Sequence, residues 1–368
     1  MDPRIERLAD VLVNYSLEAQ PEQLVAVQGS PLASPLVLAV HERLLRAGSF
    51  PMPVVSLPGV DELALKYGND DQLRYITPVQ RAVIEQAGAS LSIISEPNTR
   101  RLSGVDPARQ RLAGEARREL LQRMMERSAS GELDWCITLF PTEAHAQDAD
   151  MSISDFSDFV FRACHVDDPD EDSVDYWREM SAEHERLIEW LSDKRQVEIT
   201  GPDTDLRLSV EGRTWMNADG RKNFPDGEIF TAPIEDSIDG TIRYSFPAIT
   251  GGREVEDVRL WFEKGKVVRA TAGRNEDFLL QMLESDEGAR YVGEFAFGTN
   301  FGIDRFTKNI LFDEKIGGTI HIALGAGYPE TGSKNQSAVH WDMICDLREG
   351  GRVTVDGEPF LVNGKYVI

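Results

Sequence analysis

The spacing of apolar residues changes once along the chain, near residues 190–196, and this change constrains the fold more than any other feature. Before it, short apolar runs such as QLVAVQG (23–29) and SLSIISE (90–96) alternate with helical patterns such as LVLAVHERLLRAG (36–48). Strands that alternate with helices favour a parallel sheet covered by helices on both faces. The first half of the chain is therefore predicted to be an α/β domain with a mostly parallel sheet.

After this change, short runs of alternating apolar and polar residues are separated by Gly, Asp and Asn. Examples are VEITG, LRLSV, GTIRYSFPA and VRLWFEKGKVV. This pattern is typical of antiparallel strands joined by tight turns. We therefore predict two domains, which also suits a chain of 368 residues. They are an N-terminal domain over residues 1–192 and an α+β domain dominated by antiparallel strands over residues 193–368.

The composition narrows the classes of partner and the expected compartment. The formal net charge of −24 argues against nucleic acids and anionic membranes, because both attract lysine and arginine. The cysteines Cys136, Cys164 and Cys345 form no CxxC motif and no even set for disulfides, and two of them lie in apolar runs that predict burial. The N-terminal segment lacks an apolar signal region, and no apolar run approaches roughly 18 residues. These features lead us to expect a cytoplasmic protein.

The motifs of several common enzyme classes are absent. Neither His41 nor His184, each followed by a glutamate, has a second histidine at the spacing of an HExxH zinc site. The chain also has no GxSxG nucleophile turn and no GxxxxGK[ST] phosphate loop. Serine hydrolases, nucleotide-dependent enzymes and HExxH peptidases are therefore disfavoured.

The stretch HIALGAGYPETGSKNQSAVHWD at 321–342 contains two of the six histidines within strand-like flanks. Because side chains alternate along a strand, His321 faces away from the apolar residues on either side of it. His340 and Asp342 share one face of the following strand for the same reason. An imidazole beside a carboxylate is a suitable pair of ligands for a divalent cation. For each histidine taken singly, a buried residue with no ligand role remains the alternative.

Several carboxylates elsewhere in the second half fit the same site. Glu294 in YVGEFAFG is an acid on an otherwise apolar strand, where an unpaired charge would be costly. Glu228 follows a Pro-Asp-Gly turn and begins an apolar strand. Glu314 in FDEKIGG is either a ligand or an acid of the turn. Glu235 and Asp236 are expected to lie in a solvated loop.

Two cations held by several carboxylates and imidazoles acidify a bound water and polarise a carbonyl group, which is the chemistry of a metal-dependent hydrolase. Tyr328 lies in the loop between the two histidines, so its hydroxyl is a candidate donor to a tetrahedral oxyanion. The alternative for Tyr328 is a packing role in the turn that precedes Pro329.

Four long segments resemble the thermophilic aminopeptidase T family of metallopeptidases. They are WCITLFPTEAHAQDADMSISDFSDFVFRAC, NFPDGEIFTAPIEDSIDGTIRYSFPA, YVGEFAFGTN and LFDEKIGGTIHIALGAGYPETGSKNQSAVHWDMI. The resemblance is collinear and covers nearly the whole chain. It implies an α/β N-terminal domain, a C-terminal domain that binds two metal ions, a homodimer, and release of N-terminal residues from short peptides. Zinc, cobalt and magnesium are the ions associated with the family.

The resemblance also implies roles for individual residues. The residues that match the metal ligands are Glu228, Glu294, His321, His340 and Asp342. Glu314 is a further ligand or base, and Tyr328 matches a tyrosine near the reacting carbonyl. In this interpretation Glu294 bridges the two ions, and either Glu228 or Glu314 transfers the proton to the leaving amine.

The sequence therefore predicts a metalloaminopeptidase that uses a two-metal-activated water to hydrolyse the first peptide bond of short peptides. Residues 1–192 are expected to support the dimer and to restrict access to small peptides. Two alternatives remain open. One is a metal-dependent hydrolase of another small amide or ester, and the other is a non-enzymatic metal-binding protein of the same fold.

Overall fold

The computed structural model describes residues 2–250 and 252–368. Contacts between residues divide the chain into two compact units. The first unit comprises Met1–Trp177 and Gly220–Pro225, and the second comprises Arg178–Asp219 and Asp226–Ile368. The sequence pattern placed a boundary at 192/193, at the end of a helix, whereas the contacts divide the chain inside that helix. The functions expected of the two halves stay predictions.

Most of the α-helices lie in the first half of the chain, where they alternate with strands as the sequence predicts. In the described residues the α-helices are α1 (Pro3–Val11), α2 (Ser34–Arg46), α3 (Val60–Tyr67), α4 (Asp70–Arg74), α5 (Pro78–Gln86), α6 (Pro107–Ala129), α7 (Glu143–Asp148), α8 (Ile153–Ala163), α9 (Ser173–Leu191), α10 (Glu276–Leu283) and α11 (Ile310–Asp313). None of the helices in the described residues, 2–250 and 252–368, is long and apolar enough to span a membrane.

The strands are concentrated in the second half of the chain. In the described residues they are β1 (Leu24–Gly29), β2 (Phe50–Val55), β3 (Ala89–Ile94), β4 (Asp134–Leu139), β5 (Gln196–Gly201), β6 (Thr204–Ser209), β7 (Met216–Ala218), β8 (Asn223–Phe224), β9 (Glu228–Thr231), β10 (Asp239–Tyr244), β11 (Ala248–Thr250), β12 (Arg253–Val255), β13 (Val258–Glu263), β14 (Lys266–Thr271), β15 (Val292–Gly298), β16 (Thr319–Gly325), β17 (His340–Asp346), β18 (Arg352–Val355), β19 (Glu358–Val362) and β20 (Lys365–Tyr366).

Capping side chains determine where several helices begin. At the start of α1, the Asp2 carboxylate accepts the Arg4 backbone N–H at 2.9 Å, and a proline occupies the first helical position. At the start of α5, Thr77 and Gln80 form a reciprocal capping box. Such caps satisfy backbone N–H groups that have no partner within the helix, and each contributes about 1 kcal/mol to helix stability.

The first unit is built on a five-stranded sheet in the order β2-β1-β3-β4-β8, with every pair of neighbouring strands parallel. The central strands are the most apolar, and Val25, Val27 and Leu91 have no exposed surface. Burial on both faces explains why these strands appear in the sequence as continuous apolar runs. The predicted α/β domain with a parallel sheet is confirmed.

The second unit contains two larger antiparallel sheets and the hairpin β11-β12. One sheet has eight strands in the order β14-β13-β10-β6-β5-β18-β19-β20, and the other has five in the order β17-β16-β15-β9-β7. Both sheets contribute to a single apolar core. The prediction of a C-terminal domain dominated by antiparallel strands is confirmed.

The five-stranded antiparallel sheet of the second unit, β17-β16-β15-β9-β7, packs one of its faces against this core. Phe295 and Phe297 on β15 have no exposed surface, and neither have Ile322 on β16 and Met343 on β17. The residues between them point to the opposite face, because side chains alternate along each strand. The core face therefore holds the strands in register, and the other face is available for polar groups.

The side chain of Phe297 lies at the centre of the aromatic contacts on the core face. Its ring centroid lies 4.8 Å from that of Phe360 and 5.8 Å from that of Trp215. We expect Phe297→Ala to lower the free energy of unfolding by about 3–5 kcal/mol, because it removes buried apolar surface and leaves a cavity. Urea titration followed by tryptophan fluorescence measures this change. Val268→Ala, at a position that is 48% exposed, is the control and should change stability by less than about 0.5 kcal/mol.

Candidate metal centre

The polar face of the five-stranded antiparallel sheet in the second unit combines charged side chains with very small ones. Ala323 on β16 lies directly opposite both Glu294 on β15 and Asp342 on β17, and Ala296 lies opposite His321. Directly opposite residues of antiparallel strands project to the same face. The two alanines therefore leave open space between the carboxylates and the imidazole.

A β-bulge orients Glu294 toward this face. The pairing of β15 with β16 shifts between Val292 and Glu294. Residues two apart on a regular strand share a face, but the shift lets Val292 pack in the core while Glu294 points to the polar face. The extra residue is Gly293, where a Cβ atom would lie 2.3 Å from the Ala326 carbonyl oxygen. A one-residue bulge re-aims the side chains that follow it. Glycine is required here by close backbone contact.

The ring of His321 is held by the backbone and points its second nitrogen at carboxylates. Its Nδ1 donates to the Glu314 carbonyl oxygen at 3.1 Å. Its Nε2 lies 3.3 Å from Glu294 Oε1 and 3.7 Å from Glu228 Oε2. Burial alone would lower the pKa of His321, but Glu294 and Glu228 raise this pKa to about 10. The surroundings of Nε2 therefore favour a positive charge at this atom.

His340 has the same arrangement on the neighbouring strand. Its Nδ1 donates to the Ala326 carbonyl oxygen at 2.8 Å, and its Nε2 lies 3.4 Å from Asp342 Oδ1 and 3.5 Å from Glu294 Oε2. Burial would lower the pKa of His340, but Asp342 and Glu294 raise it to about 9. A carbonyl oxygen can only accept a hydrogen bond, so Nδ1 carries hydrogen in both rings. This contact is typical of metal-bound histidines.

The side chains form two groups of possible metal ligands. Within each group, one oxygen or nitrogen atom from each residue lies within 4.8 Å of the corresponding atoms of the others. One group is Glu294, His340 and Asp342, and the other is Glu314, His321 and Asp342. Asp342 belongs to both groups. The sequence-based assignment gave the shared position to Glu294, and that assignment stays a prediction beside this geometry.

Glu228 lies next to these groups and has an unsatisfied oxygen. Its side chain is 7% exposed, and in the described part of the structure its buried Oε2 atom has no hydrogen-bond partner. Burial raises the pKa of Glu228 well above its ordinary value. A buried oxygen without a partner is costly unless a proton or a cation occupies the adjacent space. The mixture of carboxylate oxygen and imidazole nitrogen donors therefore fits a divalent metal ion.

Lys315 is a residue of the cluster that the sequence analysis missed. It is fully buried, its Nζ lies 3.7 Å from both Asp226 Oδ1 and Glu228 Oε1, and it donates a hydrogen bond to Glu314. Burial alone would lower the pKa of Lys315, but these carboxylates raise it above its ordinary value. In the sequence FDEKIGG, a lysine after two acids is typical of an exposed turn. Nothing in the local pattern indicates its burial.

The other candidates lie where the structure gives them distinct surroundings. The ring of Tyr328 lies 5.6 Å from the ring of His340, and the residue is 45% exposed. Burial of part of its side chain raises the pKa of Tyr328. Glu235 pairs with Arg213 at 2.6 Å and Asp236 is exposed, so neither joins the two groups.

Comparison with known proteins gives these groups a context. Residues 1–366 match a family model described as thermophilic metalloprotease (M29). Aminopeptidase 2 from Geobacillus stearothermophilus is 26% identical over 99% of this chain and 98% of its own length. Aminopeptidase T from Thermus thermophilus is 25% identical over 99% of this chain and 98% of its own length. Aminopeptidase AmpS from Bacillus subtilis is 26% identical over 78% of this chain and 78% of its own length.

Two solved structures share the fold. Wild-type AmpT from Thermus thermophilus matches with a TM-score of 0.84 at 23% identity, over 99% of both chains. A 2,5-dihydroxypyridine dioxygenase from Pseudomonas putida matches with a TM-score of 0.61 at 16% identity, over 99% of this chain and 96% of that one. At these identities the structures support the fold, and the family match covers nearly the whole sequence. The chain belongs to the M29 family of thermophilic metalloproteases.

Proposed function

We propose that this protein is an aminopeptidase that uses two divalent metal ions to remove the N-terminal residue from short peptides. Membership of a metalloprotease family and the names of three relatives support this activity. The observation that carries the proposal is the convergence of two imidazole Nε2 atoms on carboxylates that form two groups with Asp342 in common. Two such groups match the donor sets of two neighbouring ions.

In this proposal, Glu294, His340 and Asp342 would hold one ion, and Glu314, His321 and Asp342 would hold the other. Asp342 belongs to both groups, and Glu294 directs one carboxylate oxygen at each imidazole, 3.3 Å from His321 Nε2 and 3.5 Å from His340 Nε2. Either carboxylate would therefore suit the position between the two ions. Glu228 Oε2 faces the second group, since it lies 3.7 Å from His321 Nε2. The mixed nitrogen and oxygen donors suit zinc or cobalt, and the excess of carboxylate oxygens also accommodates magnesium.

Two divalent ions held by these residues would supply an acidified water molecule and a Lewis acid for the carbonyl group of the scissile peptide bond. The protein side chains orient the substrate and move protons. Glu228 suits the role of proton carrier to the leaving amine, because burial raises its pKa and its Oε2 atom has no hydrogen-bond partner in the described structure. The Tyr328 hydroxyl, next to His340, would donate to the oxygen that becomes negatively charged.

Lys315 acts in this proposal as a positioning residue for the ligands. Its charge lies among Asp226, Glu228 and Glu314, so it offsets the mutual repulsion of these carboxylates. An unpaired buried carboxylate would instead take up a proton, and a protonated carboxyl group is a poor metal ligand. Lys315 therefore lowers the pKa of Glu228 and Glu314 against the larger effect of burial, and it orients both carboxylates before the ions bind.

The homodimer and the access role of residues 1–192 are proposed on the resemblance to the family. Strand β2 lies at the edge of the first unit's sheet and exposes Phe50 and Val55, and the segment after it exposes Leu57. An exposed apolar edge strand is a surface that proteins usually cover. A cytoplasmic location stays a prediction.

The metal ligands are tested by His340→Ala and Asp342→Asn. We expect the His340 variant to lose one equivalent of metal in elemental analysis, and the Asp342 variant to lose both, because Asp342 belongs to both groups. Leucine release from a leucyl dipeptide should fall by at least about 100-fold in each variant. His41→Ala, on helix α2, is the matched control and should keep metal content and activity. Unchanged metal content in the His340 variant would show that the ligand assignment is wrong.

The substrate class is tested by comparing a leucyl dipeptide with its N-acetylated form. An aminopeptidase requires the free amine, so we expect only the first peptide to be cleaved, and no cleavage after exhaustive chelation. Equal cleavage of both forms would favour a hydrolase of other small amides or esters. No cleavage with any added zinc, cobalt or magnesium, despite stoichiometric binding, would favour a non-enzymatic metal-binding protein.

The positioning role of Lys315 predicts a loss of metal affinity in Lys315→Met, which keeps the length of the side chain and removes its charge. We expect the dissociation constant of the metal to rise roughly 10- to 100-fold, in line with other residues that orient ligands. Isothermal titration of metal-free protein measures it, and circular dichroism checks that the variant is folded. Lys266→Met, on strand β14, is the control. An unchanged affinity in the folded Lys315 variant would contradict the role.

A further inference from the structure

A cavity of about 310 Å³ lies beside Asp342 in the second unit. Three parts of the chain form its walls: strand β17 through Ile344, strand β11 through Ile249, and the segment 306–313 through Phe306 and Ile310. Its contact with Asp342 places it next to the groups that surround the reacting bond.

The cavity and the candidate metal centre share one face of the sheet. Ile344 lies two residues after Asp342 on β17, so both side chains point to the same side, about 7 Å apart along the strand. Ile344 also lies directly opposite His321 in the ladder between β16 and β17. A substrate whose scissile bond lies at the carboxylate cluster can therefore place a neighbouring side chain in the cavity.

The chemistry of the walls favours an apolar occupant. The apolar side chains that line the cavity are Pro247, Ile249, Phe306, Ile310 and Ile344. The buried carboxylate of Asp313 also lines it, but its Oδ1 already accepts hydrogen bonds from the backbone N–H and the hydroxyl of Thr307, at 2.7 and 2.8 Å. Lys308 also lines the cavity, and its charge is paired with Glu254, whose Oε1 lies 3.7 Å from Nζ, so it gives the wall little attraction for a charged side chain.

The size of the cavity and its surroundings indicate which part of a peptide it binds. Ligand-binding pockets usually have volumes of roughly 300–1,000 Å³, so this cavity suits one side chain better than a length of peptide. On the other side of the cluster, Tyr328 and His340 are exposed, which leaves a path for a chain that continues. An aminopeptidase requires the peptide to end on one side and to continue on the other.

We propose that this cavity binds the side chain of the substrate's N-terminal residue and selects branched aliphatic and aromatic side chains. This inference rests on the proposed aminopeptidase function and adds the specificity of the same site. Ile310 at the mouth of the cavity and Ile344 on its wall are the residues that determine the preference.

The test uses Ile310→Trp, which fills the mouth of the cavity at a position that is 47% exposed and therefore tolerates a larger side chain. We expect kcat/KM for leucyl and phenylalanyl substrates with a constant second residue to fall roughly 10- to 100-fold, mainly through KM. Glycyl substrates should change little. In calorimetric titrations of the metal-loaded protein, binding of free leucine should be lost and binding of free glycine retained.

Val268→Trp is the matched control, since Val268 is 48% exposed on strand β14. An equal loss for all first residues in the Ile310 variant, or a change in preference for the second residue alone, would overturn the proposal. If the wild-type protein cleaves none of the substrates, the proposed function fails. The leucine titrations then still decide the role of the cavity, because equal binding by wild type and variant would refute it.

Discussion

The candidate site depends on one constraint, the concentration of negative charge on one face of the five-stranded antiparallel sheet in the second unit. Glu228 and Glu294 are almost completely buried, and burial of ionised carboxylates costs several kcal/mol for each group unless positive charge lies nearby. Lys315 supplies one such charge from one side of the cluster. The Nε2 atoms of His321 and His340 face the remaining oxygens, so the other positive charges must come from protons or from metal ions.

The backbone sets the orientation of both imidazoles, whichever of the two positive charges occupies the cluster. Each ring donates through Nδ1 to a main-chain carbonyl oxygen, which directs Nε2 at the carboxylates. Because the carboxylates raise the pKa of both histidines, each Nε2 releases a proton when it binds a metal ion, while the ring keeps its orientation. The bulge at Gly293 adds to this rigidity, because it aims Glu294 while the strand around it stays in the core.

Strand alternation was enough to predict that His321, His340 and Asp342 project from apolar strands toward one polar face. It also predicted the parallel sheet of the first unit, whose buried strands are continuous apolar runs. The pattern could not predict Lys315, since its burial depends on carboxylates that are contributed by other strands. Nor could local spacing decide between Asp342 and Glu294 as the shared carboxylate, because the choice depends on distances across three strands.

The likeness to a dioxygenase of the same fold shows that this architecture does not itself determine the reaction. The sheet and its core provide a rigid face, and the chemistry follows from the side chains on that face and from the cavities beside it. Here the face combines imidazoles, carboxylates, a buried lysine and an adjacent apolar cavity. Carboxylate-rich donors favour ions that polarise carbonyl groups, and the cavity offers an apolar side chain a place next to them. Both features suit hydrolysis of a peptide bond near a chain end.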